Sequence, residues 1–326
     1  MNIGPYEVPS SAPLLIAEIG INHNGDVKIA KKMIDKAVAA GAHLVKFQKR
    51  DVYTVYPAGE LEKPRDVPKA VLEAAIARGV LPPEVVSRLT SSDFKDTRTL
   101  EQKLALEFSQ SEYDEIDAHC KKAGIPWFAS PWDEASVDFL ERYDPPCYKI
   151  ASPSLTDDGL LRHIREKGRP IILSTGMSDM KMIRHAVEVL GTEDLVLLHC
   201  TSVYSGDESG IRLVNLRGIK ALRKEFPHIP VGFSSHDLGI QPSYAAGVLG
   251  AVMIEKHVTL NRAMYGSDQK VSLEFKDLAR LALMLKELPI AMGDGEIRFY
   301  EEEFPVAQKL RRNWGDWPKD FSDKDS

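Results

Sequence analysis

Eight short apolar runs, most of them separated by amphipathic stretches, constrain the fold of this chain more than any other feature. The runs are LLIAEIG (14–20), HLVKFQ (43–48), PWFAS (126–130), CYKIAS (147–152), PIILST (170–175), DLVLLHC (194–200), PVGFSS (230–235) and AVMIEKH (251–257). The intervening segments include VKIAKKMIDKAVAAG (27–41), TDDGLLRHIREKG (156–168) and SDMKMIRHAVEVLG (178–191). DEASVDFLERY, NLRGIKALRKEF, QPSYAAGVLG and EFKDLARLALMLKEL fill the remaining gaps. Apolar residues recur in these segments at helical spacing, and Gly41, Gly168 and Gly191 mark helix ends. Thr156 with its following acids, and Ser178 as an N-cap, mark starts. Strands alternating with helices imply a parallel sheet with right-handed crossovers. Eight such units predict an α/β fold of the closed (β/α)8 TIM-barrel type. A doubly wound open sheet is the alternative. It calls for a Gly-rich phosphate turn after an early strand, and GINHNGD after the first strand does not match GxGxxG.

One segment breaks the rhythm. Residues 51–109 separate the second strand from its helix and carry turn signals (YPAGE, LEKPRDVPK, LPPE) with two helical patches, VLEAAIARG and LEQKLALEF. In a barrel this insertion falls on the active-site face, as part of a lid, an oligomer contact or a surface excursion. The barrel is expected to span 1–290, followed by a charged tail over 291–326 with one helix, FPVAQKLRRNW.

The chain has 326 residues, 43% of them hydrophobic, which suffices for one large core. A formal net charge of -6 argues against nucleic acid as the main partner, because phosphate-backbone binding needs a basic footprint. Cys120, Cys147 and Cys200 are odd in number and lack CxxC spacing, which favours a reducing cytoplasm over a disulfide framework. MNIGPYEVPSSAP has no basic region followed by an apolar core, and no run is long enough for a membrane span. A cytoplasmic protein with no membrane partner is the expectation.

Barrel chemistry gathers at the C-terminal ends of the strands. Those ends carry Glu18, Lys46, Gln48, Ser130, Lys149, Ser152, Ser174, Thr175, His199, Cys200, Thr201, Ser234, Ser235, His236, Glu255 and His257. A single buried polar group is often just a satisfied core residue. So many at equivalent positions point to a site, since each is costly to bury without a partner. Period-two geometry puts Lys46 with Gln48 and Glu255 with His257 on the inner side, and turns Lys256 outward. Lys46 and Lys149 then aim into one mouth among serine hydroxyls, a pattern suited to phosphate and carboxylate groups. The competing reading is that each lysine snorkels to the rim. His236 and His257 end adjacent strands, about 4.8 Å apart. Two imidazoles with open positions suit Mn²⁺, Mg²⁺ or Co²⁺ better than a closed zinc site; a His acid/base pair is the other reading. Glu255 either orients His257 or pairs with a lysine.

IAEIGINHNGD, LVKFQ, WFASPWD, YKIAS, ILSTGMS, LLHCTSVY, VGFSSHD, EKHVTL and GSDQ follow one another on successive strands. In that order, from about Leu15 to Glu274, the chain resembles the sialic acid synthase family. The resemblance implies a transferase-type reaction that condenses phosphoenolpyruvate with an open-chain N-acylhexosamine to give a nonulosonic acid. It implies that Lys46, Gln48, Ser130, Lys149, Ser152 and Ser174 hold phosphoenolpyruvate, with Ser202 able to reach its phosphate. It implies Glu18 as the catalytic acid, Tyr204 and Asp268 as acceptor-sugar contacts, and His236 and His257 as ligands of a divalent metal, Mn²⁺ first. A homodimer is implied as well.

Three departures from the family pattern stand out. Many members carry an acid where KIASPSLTDD places Ser154. The sixth-strand motif usually continues to Tyr-Pro, whereas this chain reads Ser202, Val203, Tyr204, Ser205, Gly206 before ESG. Many members also have a C-terminal antifreeze-like domain that supplies an Arg, and 291–326 is too short for one. Closure over the sugar then falls to 51–109 or to the tail, with Arg311 or Arg312 as a stand-in or merely a solvated basic patch. The other functional readings are a related 3-deoxy-sugar acid synthase, a catalytically impaired sugar-phosphate-binding paralogue, and a metal-dependent amidohydrolase, which needs more His and Asp ligands.

Overall fold

The computed structural model describes residues 1–204 and 208–313. All eight apolar runs are strands of one parallel sheet. They are β1 (Leu14–Gly20), β2 (Leu44–Lys49), β3 (Trp127–Pro131) and β4 (Tyr148–Ile150). The circuit continues through β5 (Ile171–Ser174), β6 (Leu195–Thr201), β7 (Val231–Ser235) and β8 (Met253–Thr259). The hydrogen-bonded order is β3-β2-β1-β8-β7-β6-β5-β4, with β3 packed beside β4 at the seam. This is the (β/α)8 barrel that the alternation predicts. The chain divides into two compact units, Met1–Leu288 and Pro289–Ser326. The barrel lies wholly within the first.

Period two sorts the side chains of each strand. Inward-facing Leu14, Ile16, Leu44, Phe128, Cys147, Ile172, Val196, Leu198 and Met253 form one buried cluster inside the barrel. Ile3, within a short antiparallel ribbon (Asn2–Ile3 with Tyr6–Glu7), and Val8, just after it, join that cluster. The outward residues pack against the helices in a second, larger core. The floor of the barrel is therefore apolar and filled, which leaves the strand C-termini to carry polar groups.

The outer helices are α1 (Val27–Ala39), α7 (Gln110–Ala123), α8 (Glu134–Leu140) and α9 (Asp158–Glu166). They continue with α10 (Met180–Leu190), α11 (Arg217–Glu225), α12 (Gln241–Val248) and α13 (Phe275–Met292). Two starts differ from expectation. Asp179, not Ser178, caps α10, its carboxylate accepting from Met182 N at 2.9 Å. Asp157 caps α9, and Thr156 ends a preceding 3-10 turn, Ser152–Thr156. In both cases a carboxylate one residue further on captures the free N–H groups of the first turn.

The insertion departs further from its expected form. It holds five helices rather than two patches: α2 (Val52–Val55), α3 (Ala58–Leu61), α4 (Lys69–Ala77), α5 (Pro83–Ser91) and α6 (Thr99–Leu106). The prolines of LPPE signal a helix start here, because Pro83 sits in the first turn of α5, where its missing N–H costs nothing. Leu61, Val67, Leu72, Leu81, Val85, Leu89 and Leu100 give the insertion a hydrophobic cluster of its own.

Arg78 ties the insertion to the barrel. Its guanidinium grips Glu112 through two contacts, at 2.7 and 3.0 Å, and donates to the carbonyls of Ala105 and Glu107. The β1–α1 loop docks against the same place. Gly25 adopts φ +75°, and a Cβ there would lie 2.0 Å from the Ala105 carbonyl oxygen, so only glycine fits. Next to it, the His23 ring stacks on Phe108 with centroids 4.1 Å apart, and its Nδ1 accepts from Gly25 N at 3.0 Å. Burial, reinforced by Arg78, pushes this imidazole down to about 3. An unfolded histidine titrates near 6.5. Below that pH the unfolded chain binds a proton that the folded protein refuses. The stability held by the neutral ring is complete above about pH 6.5 and is lost as pH falls toward 3, on the order of 5 kcal/mol in all. Urea unfolding across this range should show a flatter acid slope for His23→Gln than for the wild type. Parallel slopes would rule this origin out.

In the second unit, Pro289 lies inside α13, and a 3-10 turn, Glu301–Glu303, leads into α14 (Phe304–Leu310). Arg311 lies over the Phe299 ring at 4.8 Å, and Arg312 is exposed. Of the expected tail, 314–326 falls outside the described residues, as do Ser205, Gly206 and Asp207 of the β6 loop.

Candidate active site

The strand ends converge on a cavity of about 410 Å³ in the barrel mouth. Glu18, Lys46, Gln48, Ser130, Lys149, Ser152, Ser174, Ser202, Tyr204, His236 and His257 all line it. Asp268 does not. It sits behind His257, with Oδ2 3.8 Å from Nδ1. Ser154 is buried in the 3-10 turn and is not among the lining residues. His199 and Thr201 point outward, both donating to the loop after β6 (His199 to the Val214 carbonyl at 2.9 Å, Thr201 to that of Leu213 at 2.9 Å). Thr175 and Ser235 also leave the mouth, bonding the Leu198 carbonyl and Lys256 respectively.

The lysines do not snorkel. Lys46 and Lys149 are only 3% and 2% exposed. Lys46 forms a close ion pair with Glu18, donates to Ser130 Oγ at 3.1 Å and lies 3.8 Å from Glu255. Lys149 lies 3.8 Å from the other oxygen of Glu255, which also accepts from Ser234 Oγ at 3.2 Å. Of the two readings of Glu255, pairing with the lysines holds. The two acids share two cations, and their charges diverge. Burial opposes ionisation of Glu255, but Lys149 and Lys46 together outweigh it and hold this carboxyl below the usual range. Burial dominates at Glu18, and with the Glu255 charge it pushes the carboxyl up to about 7 despite Lys46. Burial also lowers the Lys149 ammonium, whereas the two acids overcome it at Lys46 and raise that group.

A hydroxyl cradle forms one wall. Ser152 Oγ accepts from Gly176 N at 3.1 Å, and Ser174 Oγ is buried with no hydrogen-bond partner among the described residues. A Cβ on Gly176 would fall 2.2 Å from Ser202 Oγ and 2.6 Å from Ser152 Oγ. The bare backbone of the STGMS turn is what lets these hydroxyls close on one point. The donors suit an oxyanion.

The histidines form the other wall. The rings of His236 and His257 are 5.4 Å apart between centroids, and the Tyr204 ring lies against His236 at 4.0 Å, tilted by 42°. His236 Nδ1 lies 3.1 Å from the Thr201 carbonyl, which can only accept, so this nitrogen carries a proton and Nε2 is the nitrogen left to face a ligand. His257 Nδ1 is buried without a hydrogen-bond partner among the described residues, and burial holds this imidazole below its usual range although Asp268 opposes it. Among the described residues no group of three or more His, Cys, Asp or Glu side chains is placed to enclose a metal. Two imidazoles, one with its outer nitrogen bonded to a carbonyl, do fit an open divalent site completed by water and substrate.

Cys200, one of the strand-end residues, also lines the mouth, as do Trp132 and Met177, and Arg50 is buried just behind it. Trp132, Met177 and Arg50 are not among the residues expected from the sequence. Trp132 follows Ser130 by two residues and Arg50 follows Gln48 by two, so inward periodicity carried past the strand ends was the available signal.

Fold and site together define a (β/α)8 barrel with a buried lysine–carboxylate array and a histidine pair at its C-terminal mouth. The profile of the NeuB family matches residues 84–297. The N-acetylneuraminate-9-phosphate synthase of Drosophila melanogaster is 36% identical over 281 residues, 85% of this chain and 68% of that protein. The N,N'-diacetyllegionaminic acid synthase of Campylobacter jejuni is 34% identical over 287 residues, 86% of this chain and 78% of that one. The crystal structure of an N-acetylneuraminic acid synthetase from Leptospira borgpetersenii, in complex with citrate, superposes with a TM-score of 0.71 at 27% identity, covering 96% of this chain and 98% of the other. A truncated 3-deoxy-D-arabino-heptulosonate 7-phosphate synthase from Thermotoga maritima shares the fold, with a TM-score of 0.60 at 16% identity over 90% of this chain and 92% of that one. The chain belongs to the NeuB family, the sialic acid synthases.

Proposed function

We propose that this protein condenses phosphoenolpyruvate with an open-chain N-acylhexosamine, releasing phosphate and a nonulosonic acid. The observation that carries the reading is the buried pair Lys46 and Lys149 facing a hydroxyl cradle, with a histidine pair opposite. Phosphoenolpyruvate brings a phosphate of about −2 and a carboxylate. The lysines and the donors around Gly176 offset that charge, and a proton on Glu18 leaves the array more cationic when the anion enters. Ser130, Ser152, Ser174 and Ser202 orient the phosphate, and Gln48 holds Glu18 at the reacting end. Tyr204, packed against His236, bounds the acceptor side, and Asp268 reaches that side through His257.

C3 of phosphoenolpyruvate attacks the acceptor aldehyde carbon, and the aldehyde oxygen gains a proton. Water adds at C2, and loss of phosphate from C2 leaves the keto group of the product. Glu18, titrating near neutrality, is the side chain suited to move a proton here. His236 and His257 would hold a divalent ion, Mn²⁺ by preference and Mg²⁺ or Co²⁺ otherwise, which when bound supplies Lewis acidity toward the aldehyde. The same reading places the enzyme in the cytoplasm as a homodimer. The acceptor is an N-acetylmannosamine-like sugar, free or phosphorylated. The related 3-deoxy-sugar acid synthase remains the second reading, favoured only by the shared barrel.

Phosphate release from phosphoenolpyruvate, measured with a panel of acceptor sugars with and without Mn²⁺, tests this. Release that depends on an N-acylhexosamine is expected. Release with no acceptor in the panel would defeat the proposal. Glu18→Gln should lower kcat by about 10²–10⁴-fold with little change in KM for phosphoenolpyruvate.

A further inference from the structure

Arg50 is a buried cation that the reaction above does not use. It is 5% exposed and sits at the junction of β2 and the insertion. Four groups fix it. Its Nη1 donates to Tyr56 Oη at 2.9 Å, and Nε lies 3.0 Å from Glu107 Oε1. Its plane lies over Trp132, which lines the mouth, at 4.6 Å. Its Nη2 donates to Gln48 Oε1 in a close contact.

The last contact has a consequence for Glu18. A guanidinium has donors only, so the Gln48 atom it meets must be the carbonyl oxygen. The NH₂ end of that amide is thereby turned toward the barrel axis, where Nε2 donates to Glu18 Oε1 at 3.0 Å. Lys46 holds the other oxygen of Glu18. Glu18 by itself favours the NH₂ end, and Arg50 adds the second, independent constraint at the carbonyl end, so that a half-turn, which would put oxygen against oxygen at Glu18, would also break the guanidinium contact.

We propose that Arg50 is a positioning residue that fixes the direction of the Gln48 amide and, through it, the orientation of the Glu18 carboxylate. Tyr56 and Glu107 belong to the insertion and its exit, so the seating of the insertion is transmitted to the reacting carboxylate. This rests on the reading of Glu18 as the proton-transferring group.

The test is a double-mutant cycle between Arg50→Met and Gln48→Met, read in kcat and KM, with an activity-independent measurement alongside. Arg50→Met should lower kcat by about tenfold with KM for phosphoenolpyruvate within about twofold, and should cost less than about twofold more in the Gln48→Met background. An equal loss in both backgrounds, or no loss in either, overturns the proposal. A merely structural role would instead lower the unfolding temperature and scale activity equally in both backgrounds. The second measurement is hydrogen exchange at the Gln48 side-chain amide by ¹⁵N NMR in the ligand-free protein, assigned by its disappearance in Gln48→Met. Protection should fall by about tenfold or more in Arg50→Met; unchanged protection overturns the proposal even if no acceptor supports turnover. Inactivity of the wild type in every acceptor assay, with the exchange result as expected, would count against the condensation reaction and not against the Arg50 lock.

Discussion

Methionine in place of Lys46 is expected to cost about 3–5 kcal/mol of stability and about 10²–10³-fold or more in activity. Both losses have the same source. Lys46 stands between Glu18 and Glu255 and is itself almost fully buried. Taking it away leaves two carboxyls in an apolar-floored mouth with Lys149, 3.8 Å from Glu255, as the one remaining lysine paired with them among the described residues. Two buried acids cannot both stay ionised there. The pH dependence gives the effect a signature. A carboxyl whose folded pKa is raised above its unfolded value binds more protons in the folded state, so its destabilisation grows as pH rises from about 4.5 upward. Glu18 is already raised to about 7 in the wild type, so in this range the gap comes from Glu255, which loses one of the two lysines that hold it low. The stability gap between Lys46→Met and the wild type should narrow as pH is lowered from about 7 to about 5, within the range where the fold survives. Chemical denaturation at several pH values, paired with the phosphate-release assay, reads both effects. A variant with near-normal stability and turnover would show that the ion pair is incidental to site and fold alike.

His257→Ala is the second large effect. The His257 ring is buried, its Nδ1 has no hydrogen-bond partner among the described residues, and Asp268 stands 3.8 Å behind it. A buried imidazole nitrogen with nothing to bond is costly unless something else fills the contact, and a divalent ion shared with His236 would do so. Loss of the ring should abolish acceptor-dependent phosphate release while the far-UV spectrum of the fold persists. It should also abolish Mn²⁺ binding, read directly as the return of the free-ion paramagnetic resonance signal. Mn²⁺ affinity within about twofold of the wild type would leave the histidines to an acid/base role instead.

Much of this architecture is legible in the chain itself. The eight strands stand out because each is short, apolar and followed by a helical period, and a parallel barrel has to bury both faces of every strand. Period two then separates Glu255 and His257 from Lys256. The structure agrees: Lys256 is buried on the outer side, donating to Ser235 Oγ at 3.1 Å and to the Asp237 carbonyl at 2.8 Å. The same rule reaches Arg50 and Trp132 only if it is carried beyond the strand ends, where nothing in the sequence says that the alternation continues. The insertion was harder to read because its prolines mark turns and helix starts with the same letters.

The order of residues along each strand determined which side chains enter the mouth, because the alternation of a pleated strand is a local property of the backbone. Only the tertiary structure decided what those side chains do to one another. Glu18 and Glu255 look alike in sequence, yet burial raises one and the lysines hold the other ionised. That difference comes from distances of a few ångströms across neighbouring strands and from the exclusion of water. Both quantities exist only once β1, β2, β4 and β8 have closed around the same space.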